Sequence, residues 1–357
     1  MYKNKFILIL AAVLSLAACN RTEQTGRTAV PLVEDIISQG GAVWELLSDF
    51  DESDSQGSIA VIGPADRNDR LSRLLLKGDD FDNIDGSLRP DRLPDFSGEQ
   101  IDVISDDANS PYSGQDPQTL RTLTVQNFLA AMDQTFSLGA FDDEKLSHKL
   151  PSKVQIFSSP YSAAYGAFDI DTLCRSARCG VPVIFPSRQA FSAQLSRDIP
   201  HLHVVVLTDS LTAADGVYPM IFDELAAARG ILGVGCVAVA LKDSVSTVSA
   251  VLDAYRQGGG SMPLSAVIID DEAVSVPDLE ESLKEVFAEQ TEQSLAARKL
   301  LTRDVRVVDM DRAAVQECCR ILRRKNIFTH NIAYPFPVRY KTVAASSGDG
   351  CRLVESD

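Results

Sequence analysis

The stretch HLHVVVLTDSLTAADGVYPMIFDELAAARG, residues 201–230, decides the fold class of this chain. Its apolar run at 204–207 is typical of a strand that is buried on both faces. A polar loop with Asp209 and Ser210 follows, and residues 218–229 have the apolar spacing of a helix that Gly230 ends. Strand, polar loop and helix form half of a βαβ unit. Because ligands bind at the carboxyl ends of strands in open α/β sheets, we expect a binding site at these loop residues.

The same unit recurs along the chain. Apolar runs that end in Asp, Asn, Ser or Arg lie at 58–63, 101–105, 154–157 and 181–185 before residue 201, and at 235–241, 264–269 and 305–309 after residue 207. Alternating strands and helices predict parallel sheets with helices on both faces. The units have uneven lengths, and a long polar insertion lies at 77–99, which favours two open sheets over one closed barrel.

We therefore predict an α/β fold of two Rossmann-like lobes with mostly parallel sheets. The first lobe is expected at 58–200, the second at 201–330, and a C-terminal tail with edge strands at 331–357. The chain has 357 residues, of which 45% are hydrophobic, and this suffices for two cores. Its formal net charge of -16 argues against nucleic acid as a partner, because phosphates require clusters of Lys and Arg.

The first residues have the pattern of an export signal. Lys3 and Lys5 precede an apolar segment at 6–14, and the sequence LAAC follows at 16–19. This order resembles the lipobox of bacterial lipoproteins, which implies a signal peptide at 1–18, a lipid on Cys19 and a tether with short helices at 19–57. An ordinary secretory signal with a chance cysteine is the alternative. Asn20 after the cysteine favours the outer membrane over the inner membrane of the bacterial envelope.

The remaining cysteines permit disulfides in an exported protein. Cys174 and Cys179 flank a short loop, and we predict that they pair. Cys236 lies in an apolar run and is expected to be a buried thiol, whereas the pairing of Cys318, Cys319 and Cys351 stays open. Without a Cys-x-x-Cys pair or a histidine beside the cysteines, no metal site is expected.

Two α/β lobes behind a lipobox resemble the type I periplasmic solute-binding proteins, and within these the basic-membrane-protein lipoproteins. The residues that carry the resemblance are LAAC at 16–19, the SIAVIG run at 58–63 with its polar loop, and the run ends VVVLTDS at 204–210 and VALKDS at 239–244. Such proteins close two lobes on a small polar ligand.

The resemblance implies ligand-binding residues at the strand ends of both lobes. They are Asp66, Arg67, Asp107, Asn109, Ser159, Tyr161, Asp209, Ser210, Asp243 and Asp271. Carboxylates would accept hydrogen bonds from the ligand, and Tyr161 would stack on a ring. The plainer alternative is that polar residues follow most strands because loops are solvated.

The expected function is that of a lipid-anchored protein that binds a small polar solute without catalysis or cofactor. A membrane permease of the ABC type would be its partner. His201 and His203 have the spacing of a metal pair but no third ligand, and no Gly-x-Ser-x-Gly elbow occurs. The alternatives are a lipid-anchored envelope hydrolase and a structural surface lipoprotein with no small-molecule ligand.

Overall fold

The computed structural model describes residues 27–139, 145–197, 199–242, 246–329, 333–344 and 351–356, which form two α/β lobes. Its strands are β1 Ser58–Gly63, β2 Gln100–Ser105, β3 Phe136–Ser137, β4 Lys145–Leu146, β5 Ser152–Phe157, β6 Val183–Ile184, β7 His203–Leu207, β8 Gly235–Val239, β9 Leu264–Ile269, β10 Leu301–Asp309, β11 Phe336–Ala344 and β12 Cys351–Ser356.

The helices of the same ranges cover the faces of the sheets. They are α1 Pro31–Gln39, α2 Ala42–Ser48, α3 Ala65–Lys77, α4 Pro117–Met132, α5 Ala167–Ala177, α6 Pro186–Leu195, α7 Ser210–Asp215, α8 Val217–Ala228, α9 Val248–Gln257, α10 Val276–Ala288, α11 Glu292–Arg298 and α12 Met310–Lys325. Within the described ranges, none of them has the length and hydropathy of a membrane-spanning helix.

The first lobe contains an eight-stranded sheet in the order β4-β3-β12-β11-β2-β1-β5-β6. β1 pairs in parallel with β2 on one side and β5 on the other, while β11 and β12 are antiparallel to each other. The second lobe contains a four-stranded parallel sheet in the order β10-β9-β7-β8. The predicted α/β class with mostly parallel sheets in two lobes is confirmed.

The segment at 201–230 folds largely as its pattern predicts. The strand is β7, whose residues from Val204 onward are fully buried, as expected for a strand covered on both faces. The loop differs, because Asp209 starts an additional short helix, α7, by accepting hydrogen bonds from the backbone N–H groups of Leu211 and Thr212. Gly216, with φ of 67°, separates α7 from α8.

The C-terminal part of the chain lies elsewhere than predicted. The second sheet ends at β10, and α12 returns to the first lobe, where Val315 and Leu322 pack in one cluster with Ile59 and Val61 of β1. The second lobe therefore does not extend to residue 330. β11 is not an edge strand of a tail either, since it lies between β2 and β12. An alternating pattern identifies a strand but not its neighbours, and this explains the difference.

The two lobes share one hydrophobic core. Ala60 and Ile62 of β1 belong to the same buried cluster as Val204 and Val206 of β7. Phe191 of α6 adds an edge-to-face contact with Phe222 of α8 at 5.3 Å between ring centroids. The lobes are thus packed directly against each other.

Candidate functional site

The carboxyl ends of strands from both sheets meet at one place, where an arginine of the first lobe reaches two carboxylates of the second. Arg67 lies in the first turn of α3, directly after β1. Its Nη1 donates to Oδ2 of Asp270, which follows β9, at 2.8 Å, and its Nη2 donates to Oδ2 of Asp209, which follows β7, at 3.3 Å. Burial alone would lower the pKa of Arg67, but the neighbouring carboxylates, Asp270 foremost, raise it well above its usual value.

Arg70, one helical turn further along α3, makes the corresponding contacts with the end of β10. Its Nη2 lies 3.1 Å from Oδ1 of Asp309 and its Nε lies 2.9 Å from Oδ2 of Asp311. The i, i+3 spacing of Arg67 and Arg70 places both guanidinium groups on one face of the helix. One helix of the first lobe therefore supplies the cations for three strand ends of the second.

Asp270 accepts three side-chain hydrogen bonds on one carboxylate oxygen. Its side chain is 4% exposed and accepts hydrogen bonds from Arg67, from Oγ1 of Thr208 at 3.1 Å and from the hydroxyl of Tyr218. Tyr218 is fully buried, and this burial raises the pKa of its hydroxyl well above the usual value. Three donors around one oxygen satisfy the hydrogen-bonding capacity of that oxygen and hold the side chain in place.

Asp311 differs from Asp270 because its ion pair is with Arg70, while Arg67 acts on it through charge alone. Its side chain is 9% exposed, and burial raises the pKa of its carboxyl to about 7, although the charge of Arg70 opposes the shift. The negative charges of Asp270 and Asp309 add to the increase. A carboxyl whose pKa is raised into the neutral range is suited to exchange a proton with a substrate at neutral pH.

A cavity of about 200 Å³ opens between these groups. It is lined by Asp66, Arg67, Arg70, Ser158, Asp209, Asp270, Asp271, Glu272 and Asp311. Six carboxyl groups thus face two guanidinium groups, and the cavity has a strong excess of negative charge. Such a lining favours a small ligand that carries a positively charged group.

Two of the carboxylates at these strand ends stabilise the fold. Asp209 and Asp309 are the N-cap residues of α7 and α12, where their carboxylates accept backbone N–H bonds. For Asp209, burial alone would raise the pKa, but the hydrogen bonds from Thr212 lower it. A carboxylate that caps a helix has a structural role, so these two residues are weaker candidates for chemistry than Asp311.

Four of the residues predicted from sequence line the cavity, namely Asp66, Arg67, Asp209 and Asp271. Ser159 is buried beside it, where its Oγ accepts from the backbone N–H of Tyr161. Tyr161 is buried and donates to Asp215 across the lobes at 2.6 Å, so it does not present its ring to the cavity.

The other predicted residues lie outside the cavity. Asn109 donates to Oδ1 of the buried Asp106 at 2.7 Å, Asp107 is exposed in the same turn, and Ser210 is exposed at the start of α7. Asp243 lies outside the described residues.

Sequence reasoning missed Arg70 and Asp311, and it chose Asp271 where Asp270 makes the contacts. The sequence did contain a signal for Asp311, because the predicted strand at 305–309 is followed by acidic residues, as the other predicted strands are. Arg70 had a signal as well, since it is spaced i+3 from Arg67 on the same predicted helix.

The cysteines predicted to pair are free thiols in this structure. Cys174 lies in α5, Cys179 follows its end, and a hydrogen bond between the two side chains lowers the pKa of Cys179.

We expect an oxidant to link Cys174 and Cys179, since their side chains are already hydrogen-bonded. The disulfide should raise the free energy of unfolding by about 2 kcal/mol, the value for so short a loop. Intact mass after alkylation would show two fewer modified thiols than in reduced protein. Unchanged alkylation would refute the pairing, and Cys236→Ser is the control because it leaves the pair in place.

Comparisons with known proteins concern the fold alone. No family model and no curated protein matches the chain. Among solved structures it is similar to glutamate racemase RacE1 of Bacillus anthracis, with 16% identity, a TM-score of 0.49 and coverage of 81% of this chain and 90% of that one. It is also similar to an aspartate racemase homologue of Pyrococcus horikoshii, with 12% identity, a TM-score of 0.37 and coverage of 76% and 100%. Unliganded arylmalonate decarboxylase matches with 13% identity, a TM-score of 0.37 and coverage of 74% and 92%.

These matches correct several predictions. The resemblance to periplasmic solute-binding proteins is wrong, because the similar structures are racemases, a racemase homologue and a decarboxylase. The predicted solute-binding function without catalysis and the permease partner are wrong for the same reason. None of these structures is described as a lipoprotein, and the lipobox with Cys19 lies outside the described residues.

Proposed function

We propose that this protein is an enzyme that moves a proton on a small amino-group-containing substrate held between its lobes. Asp311 is the acid–base residue, and Arg67 and Arg70 are the groups that hold an anionic part of the substrate. The observation that carries the proposal is the buried carboxyl of Asp311, with a pKa of about 7, in the wall of a cavity. A group that titrates near neutral pH is the most effective general acid or base there.

The charge of the cavity supports a substrate that carries an amino group. Its excess of carboxylates attracts an ammonium group, and Asp66 and Asp271 are placed to accept hydrogen bonds from it. The two guanidinium groups offer donors to a carboxylate, although both are already paired with protein carboxylates. A cavity of about 200 Å³ has room for a molecule of amino-acid size.

Proton transfer can be followed without knowing the product. The chain is incubated in D2O with a panel of amino acids and simple amines, and loss of the proton on the carbon next to nitrogen is measured by proton NMR. The panel includes glutamate and aspartate, after which the racemases above are named. We expect deuterium incorporation into at least one compound, with a rate that falls as Asp311 becomes protonated, because only the ionised carboxylate can accept the substrate proton before it returns deuterium.

The matched variants are Asp311→Asn and Asp253→Asn. Asp311→Asn keeps the shape of the side chain but cannot exchange a proton, so we expect a rate loss of about 10²–10⁴-fold. Asp253 is exposed on α9, away from the cavity, and its variant should retain the wild-type rate. No exchange with any compound, or equal rates in wild type and Asp311→Asn, would refute the proposal.

A further inference from the structure

A groove of about 850 Å³ lies next to the cavity, and Arg70 and Glu272 line both. The groove runs between helices of the first lobe and the end of the second sheet. Its walls include Arg312 of α12 on one side and Arg306 of β10 on the other. A ligand that reaches past Arg70 and Glu272 from the cavity would enter this groove.

The charge of the groove is opposite to that of the cavity. Four arginines line it, Arg70, Arg73, Arg306 and Arg312, against the three carboxylates Glu272, Glu280 and Asp309. The cavity instead has six carboxyl groups and two arginines. Electrostatic complementarity thus favours a ligand whose positive end lies inside and whose negative end lies outside.

Most of these arginines already have carboxylate partners. Arg73 lies 2.9 Å from Glu272, Arg70 lies 3.1 Å from Asp309, and Arg312 forms a bidentate pair with Asp80. Arg306 differs, because within the described residues its side chain has neither a hydrogen bond nor an ion pair.

A second cation lies close to Arg306. Arg197 has a lowered pKa because it is desolvated and because the charge of Arg306 adds to that effect. Arg197 is bound to Asp304, whereas Arg306 is exposed and directed into the groove. A bound anion at Arg306 would relieve the repulsion between the two guanidinium groups.

The position of Arg306 sets the length of the ligand. It lies three positions before Asp309 on β10, which corresponds to roughly 10 Å along an extended strand. Between the two ends the groove is lined by Val307 and Val308, and Val274 also lines it. Glu280 of α10 adds a carboxylate to this lining, so the favourable place for an anion is confined to the Arg306 end.

We propose that Arg306 binds an anionic group, a carboxylate or a phosphate, on a substrate whose amino-bearing end occupies the cavity about 10 Å away. Resting on the proposed function, this inference makes the substrate longer than a simple amino acid. Arg306 is then a specificity residue that touches the far end of the substrate and takes no part in the proton transfer.

The test uses inorganic phosphate and acetate as separate probes, each titrated into the full-length protein. The backbone N–H resonances of Val307 and Val308, which wild type and variants share, are followed by NMR during titration with each anion. We expect a saturable shift with at least one anion, and the more tightly bound one identifies the chemical group. In Arg306→Gln the affinity should fall about tenfold or more, because a charged hydrogen bond is lost. Arg256→Gln, an exposed arginine on α9, should leave it unchanged.

The absence of a saturable shift with both anions would overturn the inference, and so would equal affinity in Arg306→Gln and wild type. Asp311→Asn separates this result from the proposed function. Because Asp311 does not line the groove, its variant should bind the anion as wild type does, even though it has lost deuterium exchange. Anion binding without exchange would refute the function and leave the Arg306 site intact, whereas exchange without anion binding would refute only the site.

Discussion

Replacing Arg67 by methionine is expected to lower the free energy of unfolding by about 3–5 kcal/mol, the usual cost of leaving one partner of a buried ion pair uncompensated. Methionine retains the length and helix propensity of the side chain but removes its charge. Asp270, with a side chain that is 4% exposed, would then have only the neutral donors Thr208 and Tyr218. Urea unfolding of wild type and variant measures the difference.

Arg73→Met is the matched control for this prediction. Arg73 lies on the same helix and also bridges the lobes, but its side chain is 57% exposed and that of its partner Glu272 is 66% exposed. An exposed pair contributes at most about 1 kcal/mol, so this variant should stay close to wild type. If Arg67→Met and Arg73→Met lowered the free energy of unfolding equally, burial of Asp270 would not be the reason that the Arg67 ion pair stabilises the fold.

The stability difference between wild type and Asp311→Asn is expected to depend strongly on pH. The folded protein holds the proton of Asp311 up to about pH 7, whereas the unfolded chain loses it near 3.8. Between these values the folded state binds more protons, so stability from this group is present at low pH and falls as the pH rises. The expected slope is about 1.4 kcal/mol per pH unit, and it vanishes above the folded pKa.

Asp80→Asn is the control, because the pKa of Asp80 is shifted in the opposite direction to that of Asp311. The hydrogen bond from Arg312 lowers the pKa of Asp80, so its stabilisation is complete above pH 3.8 and is lost only at lower pH. Between pH 5 and 8 the difference between wild type and this variant should be flat. Urea unfolding at each pH gives both curves, and a flat curve for Asp311→Asn in that range would contradict the raised pKa.

The sequence predicts the parts of the fold that local pattern determines. The apolar runs at 58–63, 204–207 and 264–269 are strands because their side chains are buried on both faces of a parallel sheet. That their carboxyl ends form a site follows from the geometry of such sheets. The order of the strands was not predictable in the same way, since nothing local shows that β11 inserts beside β2.

The site was predictable in its location but not in its chemistry. Arg67 and Asp209 both follow strands; the strand-end position predicts Asp209, and the resemblance to solute-binding proteins implies Arg67. The distinction between Asp270 and Asp271 depends on which side chain points toward Arg67, and the raised pKa of Asp311 depends on burial by elements far apart in sequence. Such properties arise only when the lobes are assembled.

The shared core also explains why two predicted lobes did not imply a solute-binding clamp. A protein that closes on a solute by a hinge needs two lobes that can separate. Here Ile62 of β1 and Val206 of β7 are buried in one cluster, and ion pairs cross between the lobes at Arg67 and Arg70. A strand–loop–helix pattern is compatible with either arrangement, so sequence alone could not distinguish them.

The central claim, that Asp311 is an acid–base group at neutral pH, is tested most directly by its own titration. The carboxyl carbon of Asp311, assigned by comparison with Asp311→Asn, is followed by carbon-13 NMR between pH 4 and 9. The structure predicts a midpoint at about 7, because burial and the carboxylates nearby disfavour the ionised form. A midpoint near 3.8 would show a carboxylate permanently ionised at neutral pH, and it would contradict the proposed role.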